Sequence, residues 1–443
     1  MRTGALYTFA QAIRNVVRSR VRALARALID LSVRPGLCLL RRPYRRPDIA
    51  DSSVAHSIES TTALNQAADD YYKNFPTPDF ILGKPFSEPA SLSRRLIDLG
   101  VLIDGLRVVP GDTVLELGAG SCWVSHALNK FGCRTIAVDV SRTALQLGRQ
   151  LFASDTRTNW TLRPEFLPYD GLTLPVADAS VDAIVIYDAF HHLPNPAGLL
   201  REMRRALQPS GIVAMSEPGR GHAGSMSSRA ESDDTGVLER ELVIEEIGSM
   251  AVAAGFHSAR CVVASNHPLL EVETSALRSF MGGRDFSGYW SRLCAALDSH
   301  YYVLLFAGDP VPTTARPKHL KAIITEAGGA TQLRGQIATP TIVDLTVRNV
   351  GDTRWLSDAD RPGWTRLGAH LYADGTPPRL LDFDWYRAAL PHDVDPDRSV
   401  QTIVTLPPLQ AGTYQVVIDL VVEGIAWFGD RESAPLFLRL DVR

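Results

Sequence analysis

Residues 112–128 read DTVLELGAGSCWVSHAL, and this stretch limits the architecture more than any other. A short apolar run carries one acid, Glu116, and passes through Gly118 and Gly120 into a segment with helical patterning. A glycine turn between a buried strand and a helix brings a ligand close to backbone at the carboxyl edge of a parallel sheet. The surrounding sequence repeats the alternation. A strand over 113–117 leads to a helix ending near Phe131-Gly132, then a strand over 135–140 and a helix from Arg142 toward Phe152. VDAIVIYDAF is a third buried strand, with Asp182 near its start and Asp188 at its end. An amphipathic helix (Leu199, Leu200, Met203, Leu207) stops at Pro209 and Gly211, and GIVAMSEPG is a fourth strand. ELVIEEIGSMAVAAGF reads as a further helix, and HSARCVVAS and HYYVLLFAG as closing strands. The pattern predicts an α/β, Rossmann-like, doubly wound domain over 51–309, with a helical cap (51–108) and a core (109–309).

The glycine turn alone does not name its ligand, because dinucleotide sites use one too. A dinucleotide fingerprint needs a third glycine where Trp123 stands, and a carboxylate at Glu116 would repel a pyrophosphate. A ligand with a cationic amine and a sulfonium would find that carboxylate favourable. Asp139 ends the second strand, where an acid can accept both ribose hydroxyls. Together these features point to S-adenosyl-L-methionine. The plainer alternatives are that Glu116 caps the following helix and that Asp139 is a strand-end turn residue.

With these residues in view, the chain resembles the class I S-adenosylmethionine-dependent methyltransferases, with a core like methyltransferase types 11 and 12, over about residues 95–260. VLELGAGS resembles the first motif, which implies Gly118, Ala119 and Gly120 under the methionine moiety and Glu116 nearby. IAVDVS resembles the second, which implies Asp139 on the ribose with Val140 beside it. FLPYDGLTLPVADASVDAIV resembles the third, which implies Asp170 and Gly171 at the adenine, although Asp-Gly is also a common turn pair. Asp188 would line the cofactor floor.

Methyl transfer is an in-line displacement in which the protein chiefly positions the acceptor. A hydroxyl acceptor must also lose a proton, and a histidine is the natural base near neutral pH. His191 and His192 follow the third strand and are candidates, with cofactor positioning as the alternative role. Glu217, at the end of the fourth strand, is another candidate base. The Pro-Pro-aromatic turn of base-amino methyltransferases is replaced here by Asp188-Ala189-Phe190-His191. With a net charge of −3 and no basic stripe in the catalytic domain, nucleic acid is not an expected partner. No metal-binding acid cluster is visible, so no metal is expected. The acceptor pocket is expected from the helices before Val109 and those between Pro268 and Ser299. Tyr71-Tyr72 and Tyr289-Trp290 would either line it or pack in the core.

PVPTTARP opens an expected linker over 310–330, and from 331 to 443 the hydrophobic period becomes two. Val343, Leu345 and Val347 share one face, as do Tyr414, Val416, Ile418 and Leu420, which predicts an all-β, immunoglobulin-like sandwich. Residues 338–443 resemble a β-sandwich module appended to bacterial glycosyltransferases and other surface-polysaccharide biosynthesis proteins. That resemblance implies a saccharide context, in which Trp355, Trp364, Trp385 or Trp427 would stack on sugars; the alternatives are core packing of these rings and a protein partner.

The first 50 residues hold eleven Arg and no Lys, with apolar residues at helical spacing. They read as a basic helix on an anionic membrane surface, as a packed or partly disordered segment, or as an organelle transit peptide. Five scattered cysteines form no metal or disulfide pattern, and a cytoplasmic setting follows, at most peripheral on the inner face of the plasma membrane. The sequence thus predicts a methyltransferase acting on a sugar hydroxyl of a bacterial cell-surface polysaccharide or its lipid-linked precursor. A small-metabolite methyltransferase is the alternative enzyme. A glycan-binding or scaffold protein with a vestigial cofactor site is the alternative outside enzymology.

Overall fold

The computed structural model describes residues 58–75, 77–264, 271–283, 286–309 and 311–443; the basic segment 1–50 lies outside them. Three helices come first: α1 (Ile58–Asn74), α2 (Pro78–Leu82) and α3 (Pro89–Leu106). Alternating elements follow: β1 (Thr113–Leu117), α4 (Trp123–Phe131), β2 (Arg134–Asp139), α5 (Arg142–Ser154), β3 (Glu165–Pro168), β4 (Val181–Tyr187), α6 (Pro196–Ala206) and β5 (Leu207–Pro218). Then come α7 (Met226–Thr235), α8 (Ile244–Ala253), β6 (Ser258–Cys261), α9 (Leu277–Met281), α10 (Phe286–Ser299) and β7 (His300–Phe306).

Local chemistry sets several of these boundaries. The Ser141 hydroxyl accepts from Ala144 N–H at the start of α5, and the Asn195 side chain accepts from Gly198 N–H ahead of Pro196. Gly132, at φ 108°, ends α4 in a conformation that disfavours any side chain.

The seven strands form one sheet in the order β3-β2-β1-β4-β5-β7-β6, parallel from β3 to β5, with β7 antiparallel to both neighbours. Its central strands are apolar on both faces because helices cover both. On one side Leu115, Leu117, Ile184 and Val213 pack with Leu199, Leu200 and Met203 of α6 and Ile247 of α8. On the other, Val114, Ala183 and Val185 meet Leu102 and Leu106 of α3 and Trp123 of α4. Trp123 sits edge-on to Tyr187, with ring centroids 5.1 Å apart, so the position a dinucleotide motif would give to glycine is filled by core.

Nine further strands form the C-terminal region: β8 (Ala322–Glu326), β9 (Gln332–Gly335), β10 (Thr341–Asn349), β11 (Thr365–Ala373), β12 (Arg379–Ala389), β13 (Ser399–Leu406), β14 (Gly412–Val422), β15 (Ala426–Trp427) and β16 (Leu436–Val442). They make a three-stranded sheet, β13-β10-β8, and a six-stranded one, β12-β11-β14-β16-β9, with β15 on β14. One core lies between them, in which Leu345, Val347 and Val404 face Leu367, Val416, Ile418 and Leu438.

The expected linker over 310–330 is not a linker throughout. Ala322–Glu326 pairs antiparallel with β10 and turns Ala322 and Ile324 into the sandwich core. Its five residues alternate correctly, but they follow a Pro- and Thr-rich stretch whose composition suggests a connection. Trp355 is fully buried against Phe428, so its ring is core. Asn349 holds the turn after β10: its amide donates to Thr353 O and Val394 O, and its oxygen accepts from Gly351 N–H.

The sandwich touches the α/β core at the amino end of β1, through Arg361 Nη2 to Asp112 Oδ1 (3.1 Å) and Arg316 Nη1 to Ile103 O (3.0 Å). Among the described residues, no helix is long and apolar enough to cross a membrane.

Candidate active site

One cavity opens at the carboxyl edge of the parallel strands. Gly118, Asp139, Val140 and Gly171 line one part of it; Asp188, His191 and His192 line another. Both glycines of the first turn have positive φ, 67° at Gly118 and 49° at Gly120. A Cβ on Gly118 would lie 2.5 Å from Ala189 Cβ, and one on Gly120 would lie 2.5 Å from the Tyr72 hydroxyl. The turn is therefore closed to side chains on steric as well as conformational grounds.

Asp139 terminates β2 with its carboxylate facing the cavity. Its oxygens accept from Gly120 N–H and Ser141 N–H, both at 2.8 Å, which fixes the group while leaving a lone pair on each oxygen. Burial pushes its pKa up to about 6, against the pull of these N–H groups.

Two expected cofactor residues sit differently. Glu116 does not line the cavity; it is buried beneath the turn and accepts from Ser125 N–H at 2.8 Å in the first turn of α4. Burial raises its pKa to about 8. The helix-capping alternative describes this contact, because an unpaired N–H within reach captures a buried carboxyl. Asp170 likewise folds onto its own turn, accepting from Leu172 N–H and Thr173 N–H, while Asn65 Nδ2 donates to its carbonyl. The Asp-Gly turn thus presents Gly171 rather than the Asp170 carboxylate. Ala119 is buried and does not line the cavity.

Of the three candidate bases, His191 and His192 reach the cavity, whereas Glu217 does not. Glu217 is buried, and its oxygens accept from the backbone N–H groups of Ala189 and Phe190 and lie 2.8 Å from His191 Nδ1. It holds the loop after β4 and orients His191. Burial disfavours the His191 imidazolium, but Glu217, Asp188 and Glu239 outweigh it and hold its pKa above the ordinary value. His192 falls below it, through burial and the neighbouring His191 charge. Asp188, at φ 54°, is kept below its usual range because His191, His192, Arg94 and Lys84 outweigh burial.

The other walls correct the expected acceptor pocket. Tyr71 and Tyr72 of α1 line the cavity as anticipated, but nothing between Pro268 and Ser299 does so among the described residues. Trp290 is exposed, and the Tyr289 side chain lies outside the described residues. The opposite wall comes from His222, Glu231 and Val237–Glu239, together with Lys84 and Tyr169. No sequence motif marks His222, Glu231 or Val237–Glu239. Their role follows from the chain after β5 folding back over the strand ends.

Residues 115–215 match the family model described as "Methyltransferase domain". The strands and loops that build the cavity floor are thus similar to a methyltransferase domain. A demethylmenaquinone methyltransferase of Clavibacter sepedonicus is 34% identical to it over 109 residues, 25% of this chain and 42% of that protein. A probable S-adenosylmethionine-dependent methyltransferase of Mycobacterium tuberculosis is 30% identical over 143 residues, covering 32% and 48%. The chain thus spans about half the length of the curated relatives it matches. Among solved structures, phosphoethanolamine N-methyltransferase 2 of Haemonchus contortus, bound to S-adenosyl-L-methionine, aligns with a TM-score of 0.39 at 20% identity, covering 55% of this chain and 60% of that one. The matched region runs from β1 into β5. It contains the glycine turn, Asp139, Asp170, Gly171, Asp188 and both histidines, whereas His222 and Glu239 lie beyond it.

Proposed function

We propose that this protein is an S-adenosylmethionine-dependent methyltransferase that O-methylates a sugar hydroxyl of a bacterial cell-surface polysaccharide or its lipid-linked precursor. One observation carries the catalytic part: a single cavity is lined by Gly118 and Asp139 and also by His191 and His192. The cofactor occupies the first part, with its ribose on Asp139 and its methionine moiety over Gly118 and Gly120. The acceptor enters beside Tyr71, His191 and His192, and proximity to the sulfonium supplies most of the rate. The saccharide assignment rests on the resemblance of residues 338–443 to modules of surface-polysaccharide proteins. Residues 1–50 would keep the enzyme at the membrane face where lipid-linked precursors sit, which binding of the intact chain to anionic vesicles tests.

The experiment is transfer of radiolabelled methyl from S-adenosylmethionine to host envelope fractions, with Gly118→Val as control. Label in polysaccharide or glycolipid, absent in the control, supports the proposal. Label confined to small soluble molecules favours a metabolite acceptor. Cofactor binding with no label in any fraction favours the scaffold reading.

A further inference from the structure

The lining of the cavity includes three histidines and a glutamate. His191, His192 and Glu239 each present a ligand atom, and these atoms lie within 4.8 Å of one another. His222 adds a fourth donor, its Nε2 2.8 Å from Glu239 Oε2. We propose that this cluster is a binding site for a divalent first-row transition-metal ion, with His191, His192 and Glu239 as ligands and His222 beside them.

Three features favour a metal over a simple hydrogen-bonded network. Both candidate histidines are tied through the same ring nitrogen. His191 Nδ1 lies 2.8 Å from Glu217 Oε2, and His192 Nδ1 lies 2.6 Å from Leu238 O. Both partners are pure acceptors, so each Nδ1 carries a proton; His191 Nε2 then faces Glu239 Oε2 at 3.8 Å, while His192 Nδ1 also lies 3.5 Å from Glu239 Oε1. A carboxylate or carbonyl holding the far side of an imidazole is how metal-ligating histidines are oriented.

Glu239 supplies the second feature. Its side chain is 5% exposed, and its Oε2 takes no hydrogen bond of suitable direction although His222 Nε2 and His191 Nε2 lie 2.8 and 3.8 Å away. A buried carboxylate oxygen without a directed donor is costly unless a cation faces it.

Coordination is the third. Two imidazoles and one carboxylate on one side of an ion leave positions open toward the cavity, as in metal sites that also bind substrate. Bonds of about 2.1 Å to such an ion put its donors roughly 3–4 Å apart, so ligation asks for only a small closure of the cluster.

The role of the ion rests on the O-methylation reading. An acceptor hydroxyl bound to the ion becomes acidic enough to release its proton to cavity water. Its oxygen then forms the O–CH3 bond as the S–CH3 bond breaks. The sulfur keeps that electron pair, leaving S-adenosylhomocysteine. No side chain need act as the general base.

The test uses full-length protein stripped with a chelator and titrated with Co2+, followed by its visible d–d absorption and by displacement with Zn2+. S-adenosylhomocysteine binding is measured by calorimetry on the same samples. One Co2+ per chain is expected. Glu239→Gln and His192→Gln should each weaken it at least 10-fold, and Glu217→Gln, which perturbs the orientation of His191, by about 10–100-fold. His319→Gln, in an exposed His319–Asp352 pair, should leave it unchanged. His192 is one-third exposed, so its replacement remains informative if a Glu239 variant fails to fold. S-adenosylhomocysteine binding without Co2+ binding, or Co2+ binding indifferent to these substitutions, would overturn the metal site and leave the methyltransferase reading intact. Cluster-dependent Co2+ binding without S-adenosylhomocysteine binding would do the reverse.

Discussion

Replacing Glu116 with glutamine isolates the electrostatics of the glycine turn. The carboxyl is buried and its one defined partner is Ser125 N–H, to which a glutamine carbonyl can also be an acceptor. Its pKa is raised by burial from 4.5 to about 8. A group whose folded-state pKa lies above its unfolded value favours folding fully below the unfolded value, and loses that contribution as pH rises through the folded one. The window is therefore pH 4.5 to 8, with wild type losing stability across it while Glu116→Gln does not. At about 1.36 kcal/mol per unit, the difference between the two proteins should shift by about 3 kcal/mol between pH 5 and pH 7.5, in favour of the glutamine variant at the higher pH. Urea denaturation of cofactor-free protein at both pH values measures this, with the m-value checking that both chains unfold over the same surface. A stability difference that does not change with pH would mean that the carboxyl ionises normally, and the account of a neutral cap beneath the turn would be wrong.

Other positions yield shorter tests. Gly118→Ala should abolish S-adenosylhomocysteine binding in calorimetry while circular dichroism stays near wild type, because the new methyl meets Ala189 at an already positive φ; unchanged affinity would refute the close-approach argument. Asp139→Asn should weaken cofactor binding by about 10–100-fold at pH 7.5, the scale of a hydrogen bond to a charged group. Wild-type affinity should fall as pH drops below about 6, where Asp139 protonates, and the asparagine variant should be flat there. Asn349→Ala takes from Thr353 O its buried donor, while Val394 O keeps Trp355 N–H, and should cost about 1–3 kcal/mol, read from the tryptophan fluorescence transition on denaturation; a loss below about 0.5 kcal/mol would refute that accounting.

What the sequence revealed depended on how local the physics was. Strands such as Thr113–Leu117 and Val181–Tyr187 were legible because burial on both faces demands runs that are apolar but for one acid each, and the glycine turn because only glycine fits there. Asp139 was legible from its place at a strand end. Glu116 and Asp170 do not line the cavity because backbone N–H groups of α4 and of the Asp-Gly turn hold their carboxyls, a competition invisible in residue identity. Glu217 was legible as important but not as an orienting group, since its partners come from the loop after a neighbouring strand. Glu239 and His222 were not legible at all. They follow β5 in a segment with no motif, and only the fold brings them to His191. The strand Ala322–Glu326 was hidden by brevity.

The sandwich meets the α/β core at the amino ends of the parallel strands, through Asp112 and Ile103, whereas the cavity opens at their carboxyl ends. The length of the strands separates attachment from chemistry. Residues on either end can therefore change over generations without retuning the other, and one catalytic centre can be carried on different C-terminal modules, each giving it a different address.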